Sequence, residues 1–299
     1  MSSTDSGQLA LTAPPAQPPE FSCAEVWGGN RPIDGPIRLP GVRGHIFSRP
    51  CEGGRGGDIH YISICGSGLL SRMCLADVAG HGAAVARVGG EIHTLLRRYM
   101  NNLDQRRVLS DLNRRLEAGG KGPMTTAVTF TYFPPTRTLS LSFAGHPPPW
   151  LYARREERWT RLRPASAGQP GRKLVDLPLA IDAQTTFTRR KLRVVPGDRL
   201  LAVTDGVLEA PSPTGALFGE ERLEALLHEQ RGARVDELAG AVIAAVRAHT
   251  GPRGLTHDDV TLLLVEFVRG PRAMGVWQVI RNRLLRAAPA SPTAAREAR

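Results

Sequence analysis

The spacing of apolar and polar positions sets out the elements of most of the ordered chain. Ile59-His60-Tyr61-Ile62-Ser63-Ile64-Cys65 reads as a strand, stopped by Gly66-Ser67-Gly68, and Arg72 to Val78 reads as its hairpin partner. After Gly82 the period changes. Val85, Val88, Ile92, Leu95, Leu96 and Tyr99 recur at helical spacing, and Val108, Leu112 and Leu116 line one face of a second helix over about 107–116. Thr125 to Phe133 and Thr138 to Ala144 flank Pro134-Pro135-Thr136-Arg137, the clearest hairpin in the chain. Leu192 to Val195 and Arg199 to Thr204 flank Pro196-Gly197-Asp198 and read as another strand–turn–strand. Glu220 to Leu227 and Val235 to His249 are helical, and Val260 to Phe267 is an apolar closing strand. Tight hairpins argue against βαβ units. The order of strands, two helices, strands, two helices and a last strand predicts an α+β fold, an α-β-β-α sandwich of two antiparallel sheets flanked by helices.

This patterning runs from about residue 43 to 269 without a low-complexity break, which predicts a single domain with no room ahead of it for a separate sensor domain. Residues 1–42, with Pro14-Pro15 and Pro18-Pro19, read as a flexible Pro/Gly-rich lead with at most short structure near Phe21 to Trp27. Residues 270–299 read as a basic amphipathic tail, with Trp277, Ile280, Leu284 and Leu285 along one side. Such a helix suits its own domain, a partner or an anionic membrane surface. The net charge of +11 is unevenly spread, because Arg269 to Arg299 holds seven arginines against one acid, Glu297. That places the excess in a tail and argues against a nucleic-acid groove on the main domain, which also lacks a helix-turn-helix or zinc module. No run of eighteen apolar residues and no signal-peptide pattern is present, so a cytoplasmic location is expected. Cys23, Cys51, Cys65 and Cys74 lack metal-ligand spacing and read as free thiols.

Five aspartates stand at strand ends or glycine-marked turns. Asp58 follows Gly56-Gly57, Asp77 ends a strand, Asp205 ends another and precedes Gly206, and Asp258-Asp259 precede the closing strand. A carboxylate at the end of an apolar strand must be paired, hydrogen-bonded or metal-bound. Any one of them can be a mere cap or turn residue. Converging at one end of a sandwich, they would make an all-oxygen site suited to Mg²⁺ or Mn²⁺, and two such ions can activate a water and clamp a phosphoryl group.

Gly56-Gly57-Asp58, Asp77-Val78-Ala79-Gly80-His81-Gly82, Ala144-Gly145-His146-Pro147-Pro148, Pro196-Gly197-Asp198, Thr204-Asp205-Gly206-Val207-Leu208-Glu209-Ala210, Leu217-Phe218-Gly219-Glu220-Glu221-Arg222-Leu223 and Asp258-Asp259-Val260-Thr261 occur in that order. This series resembles the successive motifs of bacterial SpoIIE-type serine/threonine phosphatases of the protein phosphatase 2C superfamily, over about residues 43–268. The resemblance implies two metal ions, Mn²⁺ or Mg²⁺. Asp77 would bridge them, Asp58 and the carbonyl of Val78 would complete one site, and Asp205 and Asp258 the other, with Asp259 a near neighbour. It also implies in-line attack of a metal-activated water on phosphoserine or phosphothreonine of a regulatory protein, often an anti-sigma-factor antagonist in partner switching. Tyr61 stands where many relatives carry a further Asp, and the connection over 119–123 is short for the family. The alternative is a phosphatase-fold interaction protein of weak activity, against which the retained aspartates speak.

Around these, Arg55 either reaches substrate phosphate or is a solvated loop arginine. His81 either donates a proton to the leaving group or only shapes the turn between Gly80 and Gly82. His146 reads as a packed histidine, His257 as a neighbour supporting Asp258. Arg154, Arg155, Arg158, Arg161 and Arg163 form a charged hairpin, a solvated face by default and an acidic-partner surface as the sharper idea.

Overall fold

Strands that bury both faces explain why so much of the chain alternates one apolar side chain with another. The computed structural model describes residues 24–51, 54–65, 70–80, 82–99, 104–118, 122–164 and 175–270. Its elements are β1 (Ala24–Gly29), β2 (Ile33–Leu39), β3 (Val42–Arg49), β4 (Ile59–Cys65), β5 (Leu70–Val78), α1 (Ala83–Tyr99), α2 (Gln105–Ala118), β6 (Thr125–Phe133), β7 (Thr138–Ala144), β8 (Trp150–Ala153), β9 (Arg158–Arg161), β10 (Arg190–Arg193), β11 (Arg199–Val203), the short α3 (Asp205–Leu208), α4 (Gly219–Glu229), α5 (Val235–Thr250) and β12 (Val260–Phe267). They form two antiparallel six-stranded sheets, ordered β1-β4-β5-β6-β7-β10 and β2-β3-β12-β11-β8-β9.

The inner faces meet through Ile62, Met73, Leu75, Phe130 and Phe143 of the first sheet and Ile46, Leu200, Leu263, Val265 and Phe267 of the second. The residues between these point outward. Ile59, Tyr61, Cys74, Ala76 and Val78 are covered by Val85, Ile92 and Leu96 of α1 and Leu109 and Leu112 of α2. Val260, Leu262 and Leu264 are covered by Leu238, Val242 and Val246 of α5 and Leu223 of α4. Every residue of β12 is therefore buried, which is why its sequence shows no polar stripe. Each such aliphatic side chain contributes about 1.5–3 kcal/mol by leaving water. The layers are helix, sheet, sheet, helix, as expected. Among the described residues no helix is long and apolar enough to cross a membrane.

Two expectations differ from the structure. The lead to residue 42 contains β1 and β2, each at a sheet edge. In β2 the buried positions Gly35, Ile37 and Leu39 alternate with exposed Asp34, Pro36 and Arg38. Gly35 and Pro36 hide that alternation in the sequence, and Pro36 is tolerated because an edge strand leaves one row of hydrogen bonds unused. Residues 1–23 and 271–299, and with them most of the lead and the amphipathic tail, lie outside the described residues.

The second difference concerns the segments around Pro196-Gly197-Asp198, which are not a hairpin. β10 pairs with β7 in the first sheet and β11 with β12 and β8 in the second, so the turn crosses between sheets. Its backbone bonds explain the crossing: Gly197 N donates to Phe267 O at 2.8 Å and Phe267 N to Asp198 O at 2.9 Å, extending the β12 ladder into the turn. The Asp198 carboxylate is spent there, accepting from Val195 N at 2.8 Å and Arg154 N at 2.9 Å.

Candidate active site

The topology brings the acids together. β5 ends at Asp77-Val78, β11 ends one residue before Thr204-Asp205, β12 begins just after Asp258-Asp259, and β4 begins just after Asp58. All four ends lie at the same pole of the sandwich. Each acid there feels the others. Burial foremost, then the charges of Asp205, Asp258, Asp259 and Glu209, push Asp77 up to about 7. Burial, then Asp77, pushes Asp58 well above the ordinary carboxylate range, although the hydroxyls of Thr261 and Thr204 oppose the rise. Asp205 is raised by burial and by Glu209, and Asp258 by burial, with Asp205 and Asp259 adding to it.

Asp58 is 3% exposed. Its Oδ2 accepts from Thr204 Oγ1 at 2.8 Å, while its buried Oδ1 has no hydrogen-bond partner. Thr204 Oγ1 in turn accepts from Thr261 N at 3.0 Å, tying β11, β12 and Asp58 into one unit.

Asp259 has a different environment. Its Oδ1 accepts from Cys51 N at 2.8 Å, and its Oδ2 accepts from Gly57 N and from Asp58 N, the latter at 3.2 Å. Three backbone donors of the 51–58 loop thus converge on one carboxylate. Gly56 is required here, since a Cβ at that position would lie 2.1 Å from Asp259 Oδ2. Gly206 is required on the other side, where a Cβ would lie 1.9 Å from the Asp259 carbonyl oxygen. Asp258 Oδ1 accepts only from Asp259 N, at 2.8 Å.

Several supporting residues escaped sequence reasoning. Asn30, in the expected lead, donates to Gly56 O and Ala86 O at 2.8 Å each and accepts from Gly56 N at 3.0 Å, so it joins the Asp58 loop to α1. Glu209 adds charge to the Asp77 and Asp205 pair. Thr204 and Glu209 lie inside the Thr204 to Ala210 series, which gave neither a role of its own, and Asn30 lies in none of the quoted motifs. His257 donates from Nε2 to Gly206 O at 2.7 Å and so supports the Asp205 turn. His146 is 4% exposed, donates from Nδ1 to Pro147 O at 2.9 Å, and is packed as expected. Burial lowers it to about 4.

Arg55 is exposed and borders a cavity of about 1030 Å³ that continues between α1 and α2, along Arg87, Glu91, Thr94 and Arg115. His81 lies outside the described residues.

Among the described residues no group of three or more His, Cys, Asp or Glu side chains is close enough to cage an ion as it stands. The donor set nevertheless fits a hard cation. It is all oxygen, mutually repelling and partly buried, and Asp58 Oδ1 lacks any other partner.

The fold is that of solved protein phosphatase 2C domains. The structure aligns with the RsbU and RsbW domains of Rv1364c from Mycobacterium tuberculosis at 22% identity and TM-score 0.65, over 86% of this chain and 70% of that one. It aligns with the PP2C phosphatase domain and regulatory-domain fragment of SpoIIE from Bacillus subtilis at 16% identity and TM-score 0.60, over 78% of this chain and 64% of that one. Protein IcfG of Synechocystis is 32% identical over 88 residues, which is 27% of this chain and only 12% of that protein. The family described as Stage II sporulation protein E (SpoIIE) matches residues 70–268, and the chain belongs to it.

Proposed function

We propose that this chain is a metal-dependent phosphatase that removes phosphate from phosphoserine or phosphothreonine of a regulatory protein. The observation that carries the reading is the gathering of Asp58, Asp77, Asp205, Asp258 and Asp259 at one pole, from segments up to 201 residues apart, on the fold and within the family of protein phosphatases. Like charges held together at the ends of apolar strands are tolerable when cations neutralise them. Asp77 would serve both of two Mn²⁺ or Mg²⁺ ions, with Asp58 and the Val78 carbonyl on one and Asp205 and Asp258 on the other. Bound, such ions supply a water of lowered pKa and neutralise phosphoryl charge.

The chain's own residues set the stage for that chemistry. Thr204 orients Asp58. Asp259 and Asn30 hold the Gly56-Gly57-Asp58 loop against β12 and α1, so Asp58 pays little reorganisation when a ligand arrives. His257 holds the Asp205-Gly206 turn. Arg55, Arg87 and Arg115 border the cavity beside that loop and favour a phosphorylated or acidic polypeptide there. Whether the substrate is an anti-sigma-factor antagonist is a narrower proposal resting on the family alone.

The test is hydrolysis of p-nitrophenyl phosphate and of a phosphoserine peptide with Mn²⁺, Mg²⁺ or EDTA, beside Asp77→Asn and Asp205→Asn. Metal-dependent turnover abolished in both variants is expected. A folded protein that neither turns over nor binds Mn²⁺ would overturn the proposal and leave the phosphatase-fold scaffold.

A further inference from the structure

The strand ends at the pole opposite the acids carry arginines. Arg137 follows β6 in the turn to β7, Arg154 and Arg155 begin the turn from β8 to β9, Val195 and Pro196 precede β11, and Arg269 follows β12. These six residues line a second cavity of about 490 Å³. The nine-residue β6, at about 3.3 Å per residue, puts it roughly 25 Å or more from the acid pole, so it is no part of the active site.

Three features make this cavity unlike an ordinary solvated surface. All four arginines are exposed, and none has a carboxylate within ion-pair distance among the described residues. The two buried acids of this end are already used. Asp198 accepts from Val195 N and Arg154 N, and Glu266 is paired with Arg43 at 2.9 Å and Arg199 at 3.6 Å. Glu156 and Glu157, at the hairpin tip, pair with none of the four.

The frame is also tied down. Val194 N donates to Arg137 O at 3.0 Å, Arg154 N donates to Asp198, and Gly197 N to Phe267 O at 2.8 Å, which fixes all four segments to one another. Gly197, at φ +96°, lets the Arg154 side chain lie across the turn, since a Cβ there would fall 2.3 Å from Arg154 Cδ. Beyond Gly270 the sequence adds six arginines and the single acid Glu297, so the chain's own continuation does not carry the charge needed to neutralise the cavity.

We infer that this arginine-lined pole docks an acidic segment of a protein partner. Four unpaired guanidinium groups spread over a Val-Pro floor suit several carboxylates along a polypeptide. The lining has no aromatic ring on which a base could stack and no buried polar side chain to cage a small anion, which disfavours a nucleotide or free phosphate. The inference stands on the fold and does not rest on the phosphatase reading.

The test uses the full chain and a fluorescein-labelled hexaglutamate peptide, with anisotropy read at about 0.15 M salt. Arg137→Glu/Arg154→Glu, and separately Arg155→Glu/Arg269→Glu, should each weaken binding by roughly tenfold or more. Arg158→Glu, a change on the same hairpin outside the cavity, should leave it within about twofold. Thermal melting of each variant checks that it is folded, and p-nitrophenyl phosphate turnover should match the parent. Equal weakening by Arg158→Glu, or loss of binding only on deletion of 271–299, would overturn the proposal. So would displacement of the peptide by inorganic phosphate at a concentration whose ionic strength, matched with chloride, leaves it bound, because the cavity would then be a small-anion site.

Discussion

Asp259 is the place where a ligand and a clamp can be told apart. Asp259→Ala strips the acceptor from three backbone donors, of which Gly57 and Asp58 are buried. Leaving a buried donor unmade costs about 1–3 kcal/mol, and water entering the vacated space returns part of it, so a loss of about 3–5 kcal/mol is expected. Asp259→Asn keeps one carbonyl oxygen, which can serve Gly57 and Asp58, but turns its amide toward Cys51 N. About 1–2 kcal/mol is expected there. A second effect opposes both. The Asp259 charge raises Asp58, Asp77 and Asp258, so its removal relieves repulsion in metal-free protein. Destabilisation should therefore be smaller in EDTA than in saturating Mn²⁺. Urea unfolding of Asp259→Ala, Asp259→Asn and Asp258→Asn in both conditions, beside calorimetric Mn²⁺ titration, measures all of this. A clamp predicts that Asp258→Asn loses more Mn²⁺ affinity than Asp259→Asn, and Asp259→Ala more stability than Asp258→Asn. If Asp259→Ala cost less than about 1 kcal/mol in EDTA while abolishing Mn²⁺ binding, the clamp would be refuted and Asp259 would be a ligand first.

Three further expectations follow from neighbouring contacts. Thr204→Val removes the hydroxyl that donates to Asp58 and accepts from Thr261 N; it should cost about 1–3 kcal/mol and roughly tenfold in turnover, with Thr204→Ser recovering most of both in urea melts and initial-rate assays. Gly206→Ala places a Cβ 1.9 Å from the Asp259 carbonyl, so the Asp205 turn must shift; turnover should be lost and stability should fall by about 1–3 kcal/mol, and an active variant of parental stability would contradict the geometry. His146 falls from an ordinary 6.5 to about 4, so the unfolded chain binds the proton first as pH drops. Its contribution is whole above about pH 6.5 and is lost progressively toward pH 4, by about 3 kcal/mol at most, so His146→Leu should flatten the pH dependence of the urea midpoint across that window.

Local pattern sufficed where the physics is local. The strands over 59–65, 125–133 and 260–267 and the helix after Gly82 could be read because the spacing of apolar side chains is itself the cause of which face is buried. The candidate acids could be read because a carboxylate at the end of an apolar strand demands a partner, whatever that partner is. Three things depended on contacts far apart in the sequence. β1 and β2 are stable only as edges laid on β4 and β3, so a Gly- and Pro-bearing stretch that looks like a linker becomes sheet. The segments flanking Pro196-Gly197-Asp198 belong to different sheets because the turn bonds to the end of β12, a choice that no local preference encodes. Asp258 and Asp259 are chemically identical neighbours. Only the approach of the Cys51 to Asp58 loop, some 200 residues earlier, commits one of them to backbone donors and leaves the other turned to the acid pole, since a hydrogen bond acts at contact range and contact between distant segments is decided by the fold as a whole.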